Sequence, residues 1–151
     1  MMSFRRELLP LIVVFVATNA VASEQLTPRG LRSPNRPNAG GCYLQLLKTP
    51  SEQVFEWDFH DRAWINLGGP DLRLHLLSSR GINLEEGGGS IGEKQVVTFS
   101  GADVRVFVTM TLRSKCAAND ESCEAVVVDG KIRVKTPKHS IVFPVRGICG
   151  T

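Results

Sequence analysis

Asp58 and His60 are residues whose types and spacing could support acid–base or metal chemistry. They lie two positions apart in a predicted strand, so their side chains share one face of it. A carboxylate beside an imidazole can bind a metal ion or transfer a proton. A polar turn explains the same residues, and this is the interpretation that we favour. The alternative stays open: a small metal-dependent or hydrolytic enzyme that uses Asp58 and His60, with His75 as a further candidate.

Other catalytic signals are weak. No Ser–His–Asp arrangement can be assembled from the sequence, and the Gly-x-Ser-x-Gly nucleophile elbow is absent. His75 alternates with leucines and is expected to point to solvent, whereas His139 lies in a predicted turn. The sequence therefore indicates no catalytic residue, no metal ligand and no cofactor, and it favours a protein that is not an enzyme.

The cysteines carry a clearer signal, because an even number in an exported chain indicates disulfide bonds. They are Cys42, Cys116, Cys123 and Cys149. A zinc site is the alternative, and it is disfavoured because the short C-x2-4-C spacings of zinc ligands are absent. Strand register favours a bond between Cys116 and Cys123, and Cys42 with Cys149 then follows by elimination.

The register comes from the dipeptide Asp129-Gly130, which is typical of a two-residue type I′ turn. It predicts a hairpin of strands 123–128 and 131–136. The following side chains would form its apolar face: Ala125, Val127, Ile132 and Val134.

If Cys116 is placed opposite Cys123, the same counting sets Leu112 opposite Val127. Both residues lie on faces that are assigned independently as buried, so the two assignments agree. Residues directly opposite each other in an antiparallel pair are close enough for a disulfide bond. The register therefore predicts a cross-strand bond between Cys116 and Cys123.

Residues 104–116 are predicted to be the central strand of a three-stranded meander with 123–128 and 131–136. Apolar residues alternate with polar ones over this stretch, as in a strand with one buried face. Similar short stretches recur along the chain, separated mostly by turns, with 79–93 predicted as a long mobile loop. We therefore predict an all-β protein, an antiparallel meander of about eight or nine short strands that forms a small barrel or sandwich with two disulfides.

The N-terminal region predicts export. Two arginines, a short apolar run and Ala20-Val21-Ala22 are typical of a signal peptide over 1–22. The alternative of a membrane anchor is disfavoured, because the apolar run is about half the ~20 residues that a membrane-spanning helix needs. Residues 23–41 are predicted to be a disordered tether rich in Pro, Arg and Gly, and 42–151 to be the β domain. The predicted location is secreted or periplasmic, with no membrane span after cleavage.

The net charge of +3 first suggests a nucleic-acid partner. However, 42–151 contains 13 basic and 13 acidic residues, so the excess lies in the N-terminal region. Binding to nucleic acid needs clustered Lys and Arg, and we therefore expect no nucleic-acid partner. The residues predicted to form a binding surface are Trp64, Arg105, Phe107 and Arg113.

These observations favour an exported, non-enzymatic binding or inhibitor-type module that acts on another extracytoplasmic protein or on a cell-envelope component. Trp64 is a candidate because tryptophan is frequent at binding hot spots. Arg105, Phe107 and Arg113 are candidates because they lie on the outward face of the central strand. A passive structural protein of the cell envelope is a further alternative.

Overall fold

Eight β-strands form the fold in the computed structural model, which describes residues 25–33, 40–117, 119 and 123–150. The signal peptide predicted for 1–22 lies outside the described residues. The strands are β1 (Gly41–Leu46), β2 (Gln53–Trp57), β3 (Arg62–Asn66), β4 (Asp71–Gly81), β5 (Lys94–Gly101), β6 (Val104–Ser114), β7 (Ala125–Lys135) and β8 (Ser140–Gly150).

The strands close into an antiparallel barrel. Each strand pairs with the next along the chain, and β8 returns to pair with β1. The all-β antiparallel meander is confirmed, and of the two predicted architectures the barrel is correct. Within the described residues, no helix is both long and apolar enough to cross a membrane.

The barrel interior is filled by apolar side chains. On β6 the inward residues from Val104 to Leu112 are buried, as their alternation predicts. Aromatic rings pack edge-to-face in the core: Phe55 lies 5.5 Å from Phe99, and Trp57 lies 5.7 Å from Phe99, between ring centroids. Such contacts add to the stabilisation from buried apolar area. The described interior of the barrel is therefore packed with side chains.

Both predicted disulfide bonds are confirmed. Cys42 lies directly opposite Cys149 in the β1–β8 pair, with 4.1 Å between their Cα atoms. This bond ties the first strand to the last where the barrel closes. Cys116 is bonded to Cys123 across the connection between β6 and β7, with a Cα separation of 5.4 Å.

The hairpin turn predicted at Asp129-Gly130 is wrong. Residues 123–128 and 131–136 are not two strands, because β7 runs without a turn from Ala125 to Lys135. It pairs with β6 on one side and with β8 on the other along its length. A positive φ at both residues is required for the predicted turn, and neither Asp129 nor Gly130 adopts one.

Gly130 has a different role in the barrel. A Cβ atom at this position would lie 2.4 Å from the backbone oxygen of Thr109 on β6. The glycine therefore permits a close approach of two strand backbones, which is a second reason for a glycine inside a strand. The sequence pattern alone does not distinguish this role from a turn.

The continuous strand also changes the buried face of β7. Val126 and Val128 are buried in place of the predicted Ala125 and Val127, which are half-buried. On β6, Leu112 lies opposite Val128 and not opposite Val127, and Val127 lies opposite Ser114 after a one-residue register shift. The disulfide prediction was correct although the register used to derive it was not.

The predicted loop over 79–93 differs in part from expectation, whereas Pro144 lies where a proline is expected. The loop predicted over 79–93 is shorter than expected, because β4 extends to Gly81. The connection to β5 begins after this residue. Leu84 in this connection is 2% exposed and packs into the core. Pro144 lies on β8 opposite Lys131, just beyond Val145, where the pairing with β1 ends. Its missing N–H thus falls on a strand edge, as expected for proline.

Residues 25–33, which we call the N-terminal strap, lie against the barrel where a free tether was expected. The backbone N–H of Thr27 donates to the oxygen of Leu67 at 3.0 Å, and that of Leu31 donates to Gln53 at 2.7 Å. Leu26 packs against the core. Backbone hydrogen bonds and one apolar contact offset the ordering entropy that its composition implied.

Candidate functional site

The outer face of the barrel from β4 to β8 carries most of its exposed positive charge. On β7 the inward residues Ile132 and Val134 alternate with the exposed residues Lys131, Arg133 and Lys135. The same alternation exposes Arg105 on β6. We call this surface the basic wall. Its residues are Arg80, Val96, Arg105, Phe107, Lys131, Arg133, Lys135 and Val142.

Strand register brings the members of the basic wall together. Arg105 on β6 lies directly opposite Lys135 on β7, and Phe107 lies opposite Arg133. Arg133 in turn lies opposite Val142 on β8. Side chains opposite each other in an antiparallel pair have Cβ atoms ~4.5–5.5 Å apart. The wall is therefore a continuous patch of positive charge with apolar side chains beside it.

A shallow depression marks the centre of the wall. It has a volume of about 200 Å³. Its lining residues are Arg80, Val96, Phe107, Thr109, Lys131, Arg133 and Val142. The Nζ atom of Lys135 lies 5.6 Å from the ring centroid of Phe107, within the range of a cation–π contact. Basic groups thus surround an apolar floor.

Carboxylates are nearly absent from this side of the barrel. On strands β5 to β8, all of which the structure describes, Asp129 is the single acidic residue. Its carboxylate accepts from Arg146 Nε at 2.6 Å and also from Arg113. These hydrogen bonds hold the pKa of Asp129 below its usual value, with the larger effect from Arg146 and the next from Arg113.

The five basic residues of the wall form no ion pair with any described carboxylate. They are Arg80, Arg105, Lys131, Arg133 and Lys135, and the ion pairs of the described residues involve other arginines. Asp129 is already bound by two arginines, so it does not neutralise them. Their charge is available to an external partner.

The four predicted surface residues separate into two groups. Arg105 and Phe107 belong to the basic wall. Arg113 lies toward the far end of β6, where it binds Asp129. Trp64 lies on β3, half-buried, opposite Glu56 and Arg73 and with β4 and β5 between it and β6.

The sequence-based prediction missed three wall residues on β7, namely Lys131, Arg133 and Lys135. Counted from the predicted turn at Asp129-Gly130, Glu124 would lie opposite Lys135 and neutralise its charge. The structure places Arg105 there instead. The alternation over 131–135 places the three cations in one exposed row in either interpretation, but it does not show that Arg105 and Phe107 lie beside them.

Asp58 and His60 form the polar turn that the sequence favours. One oxygen of Asp58 accepts from the backbone N–H groups of His60 at 3.0 Å and Arg62 at 3.2 Å. The other oxygen accepts from Arg62 Nε at 2.9 Å. The carboxylate side chain is 5% exposed and holds the turn between β2 and β3. Among the described residues, no group of three His, Cys, Asp or Glu side chains could hold a metal ion.

Two larger depressions lie at the ends of the barrel. One has a volume of about 400 Å³ and contains Glu85, Glu86 and Glu124 beside Lys115. The other, of about 380 Å³, lies under Leu26 of the strap and is mostly apolar. Acidic side chains thus line the first depression, away from the wall, so a domain without net charge can still present a basic surface.

Comparisons with protein-family models, with curated proteins and with solved structures found no significant match to this chain.

Proposed function

We propose that this protein is an exported, non-enzymatic binding module that acts on an extracytoplasmic protein or a cell-envelope component through the basic wall. The observation that carries the proposal is the cluster of five basic residues without an ion-pair partner among the described carboxylates. Clustered charge of one sign attracts a partner of the opposite sign over several ångströms.

The stability of the barrel does not explain this cluster. Like charges directly opposite each other in a sheet are destabilising, and Arg105 faces Lys135 in this way. An acidic residue at either position would be more favourable for folding. A local feature that is unfavourable for stability is expected at a functional site.

The two disulfide bonds are compatible with a location outside the cytoplasm, where oxidising conditions preserve such bonds. The signal-peptide pattern supports the same location. An exported domain meets anionic components of the cell envelope, which a basic surface can bind.

Co-sedimentation of the purified protein with isolated cell envelopes tests the proposal. We expect the wild-type protein to bind and the binding to weaken as salt is added, since exposed charges are screened beyond a Debye length of ~10 Å at 0.1 M salt. The double variant R133E/K135E should lose most of this binding.

The matched control is K48E/K138E, which changes the net charge by the same amount. Lys48 and Lys138 are exposed in connections at the barrel end and not on the wall. Equal binding of the wild-type protein and both variants would contradict the proposal, and so would equal loss in both.

A further inference from the structure

We infer that the partner of the basic wall is a membrane surface that contains anionic phospholipids. This inference rests on the proposed function, because it assigns a partner to the same surface. It is carried by the apolar side chains of β8, which lie beside the cations of β7.

The outward face of β8 is apolar where it lies beside the cations of β7. Val142 is 54% exposed, and Pro144 is exposed on the same face. The register places Val142 opposite Arg133 and Pro144 opposite Lys131. Further along this face, Arg146 is bound to Asp129, and Ile148 lies opposite Val127. Two exposed apolar side chains thus lie directly beside two cations of the wall.

This arrangement matches the interface of a membrane. Proteins that lie on a membrane combine basic residues, which attract anionic headgroups, with apolar side chains that enter the boundary of the acyl chains. The cations of β7 are spaced by two residues, which is about 6.7 Å. Headgroups diffuse laterally, so a row of this kind needs no fixed pattern of charges in its partner.

An acidic protein surface fits less well. Protein interfaces are depleted of lysine relative to the rest of the surface, whereas arginine is enriched in them. On the wall, Arg133 lies between two exposed lysines of β7, Lys131 and Lys135. A protein partner would have to remove water from these strongly hydrated ammonium groups, which is costly. A lipid headgroup stays hydrated while it binds, and its phosphate suits the guanidinium fork.

Sedimentation with lipid vesicles tests this inference. One set of vesicles contains phosphatidylcholine alone, and the other contains equal amounts of phosphatidylcholine and phosphatidylglycerol. We expect the wild-type protein to bind the mixed vesicles and not the neutral ones. Each basic residue near an anionic membrane strengthens binding about five-fold, so R133E/K135E should weaken it about 25-fold or more.

Two further measurements separate lipid from other anions. Val142→Ser should weaken binding to the mixed vesicles several-fold with the charges unchanged, whereas K48E/K138E should retain most of the binding. Soluble glycerol phosphate at matched ionic strength should not displace the protein; displacement would show a free phosphate site and overturn the membrane assignment.

The vesicle and envelope results together distinguish the two proposals. Binding to envelopes through the wall, without binding to anionic vesicles, would overturn the lipid inference and leave the proposed function intact, with an acidic protein as partner. Failure to bind either would contradict both.

Discussion

Arg105 and Lys135 lie directly opposite each other on β6 and β7, both exposed on the outer face of the barrel. The distance between opposite Cβ atoms in such a pair is ~4.5–5.5 Å, close enough for two positive side chains to repel each other. The single carboxylate on strands β5 to β8, Asp129, is three outward positions from Lys135 along β7 and is bound by two other arginines. The pair therefore favours binding of an anion at the expense of stability.

The first prediction concerns this pair. Lys135→Glu should raise the free energy of unfolding by roughly 0.2–1 kcal/mol, because it replaces a repulsion with an attraction to Arg105. Urea denaturation measures the change. Lys131→Glu is the matched control, since Lys131 lies opposite Thr109 and Pro144 and has no such repulsion to relieve. A K135E variant less stable than the K131E variant would contradict the assignment.

The second prediction concerns the disulfides. In the chain-entropy model, the Cys42–Cys149 bond, with a sequence separation of 107, contributes about 4.8 kcal/mol. The Cys116–Cys123 bond, with a separation of 7, contributes about 2.4 kcal/mol. Replacing each pair with alanines and measuring urea denaturation should show the larger loss for the first pair. A larger loss for the second would show that Cys42–Cys149 does not close the barrel as described.

The third prediction concerns Gly130. Gly130→Ala should destabilise the barrel by about 1–3 kcal/mol, because the added Cβ would lie 2.4 Å from the backbone oxygen of Thr109. Gly69→Ala is the control, because a Cβ there has no atom within 4 Å. Thermal unfolding followed by circular dichroism measures both. A G130A variant as stable as G69A would contradict the close approach of β6 and β7.

The fourth prediction concerns the N-terminal strap and Asp71. The carboxylate accepts from the backbone N–H groups of Arg32 and Ser33, each at 2.9 Å, and from Asn66 Nδ2 at 2.9 Å. Partial burial acts to raise the pKa of Asp71, but these hydrogen bonds and the charge of Arg32 together lower it below its usual 3.8.

Because the folded-state pKa is lowered, the stabilisation is fully present above the usual pKa of Asp71 and is lost as the pH falls through the lowered folded value. Asp71→Asn should therefore release the strap at neutral pH. Limited trypsin digestion, read by mass spectrometry, should show faster cleavage after Arg29 and Arg32 in D71N. Unchanged cleavage would show that Asp71 does not hold the strap.

Much of the fold could be predicted from the sequence, because strands with one buried face alternate in polarity. The alternation over 104–116 identified β6. Both disulfide bonds were also predicted correctly, although the register that led to them is wrong at Leu112. The residues around Asp129-Gly130 do not show whether this dipeptide is a turn or part of a strand. A glycine suits a tight turn and a close approach of two backbones equally well. Only the partner strands on both sides of β7 decide between them.

Part of the candidate site was also predicted from the alternation of polar and apolar residues along the strands. Arg105 and Phe107 were identified from their outward positions on β6, whereas the neighbours of Lys131 and Arg133 on β6 and β8 are given only by the register of β7. The neutral net charge of 42–151 also concealed the wall, because the total does not report where the charges lie. The grouping of basic residues on the wall emerges only when β6, β7 and β8 are paired.

The most direct test of the basic wall as a binding surface measures envelope binding and unfolding stability together for R133E/K135E. We expect envelope binding to fall by at least tenfold relative to K48E/K138E, while stability in urea is unchanged or higher because the repulsion at Arg105 is removed. Retained binding in a folded R133E/K135E variant would contradict the assignment of the wall as the binding surface.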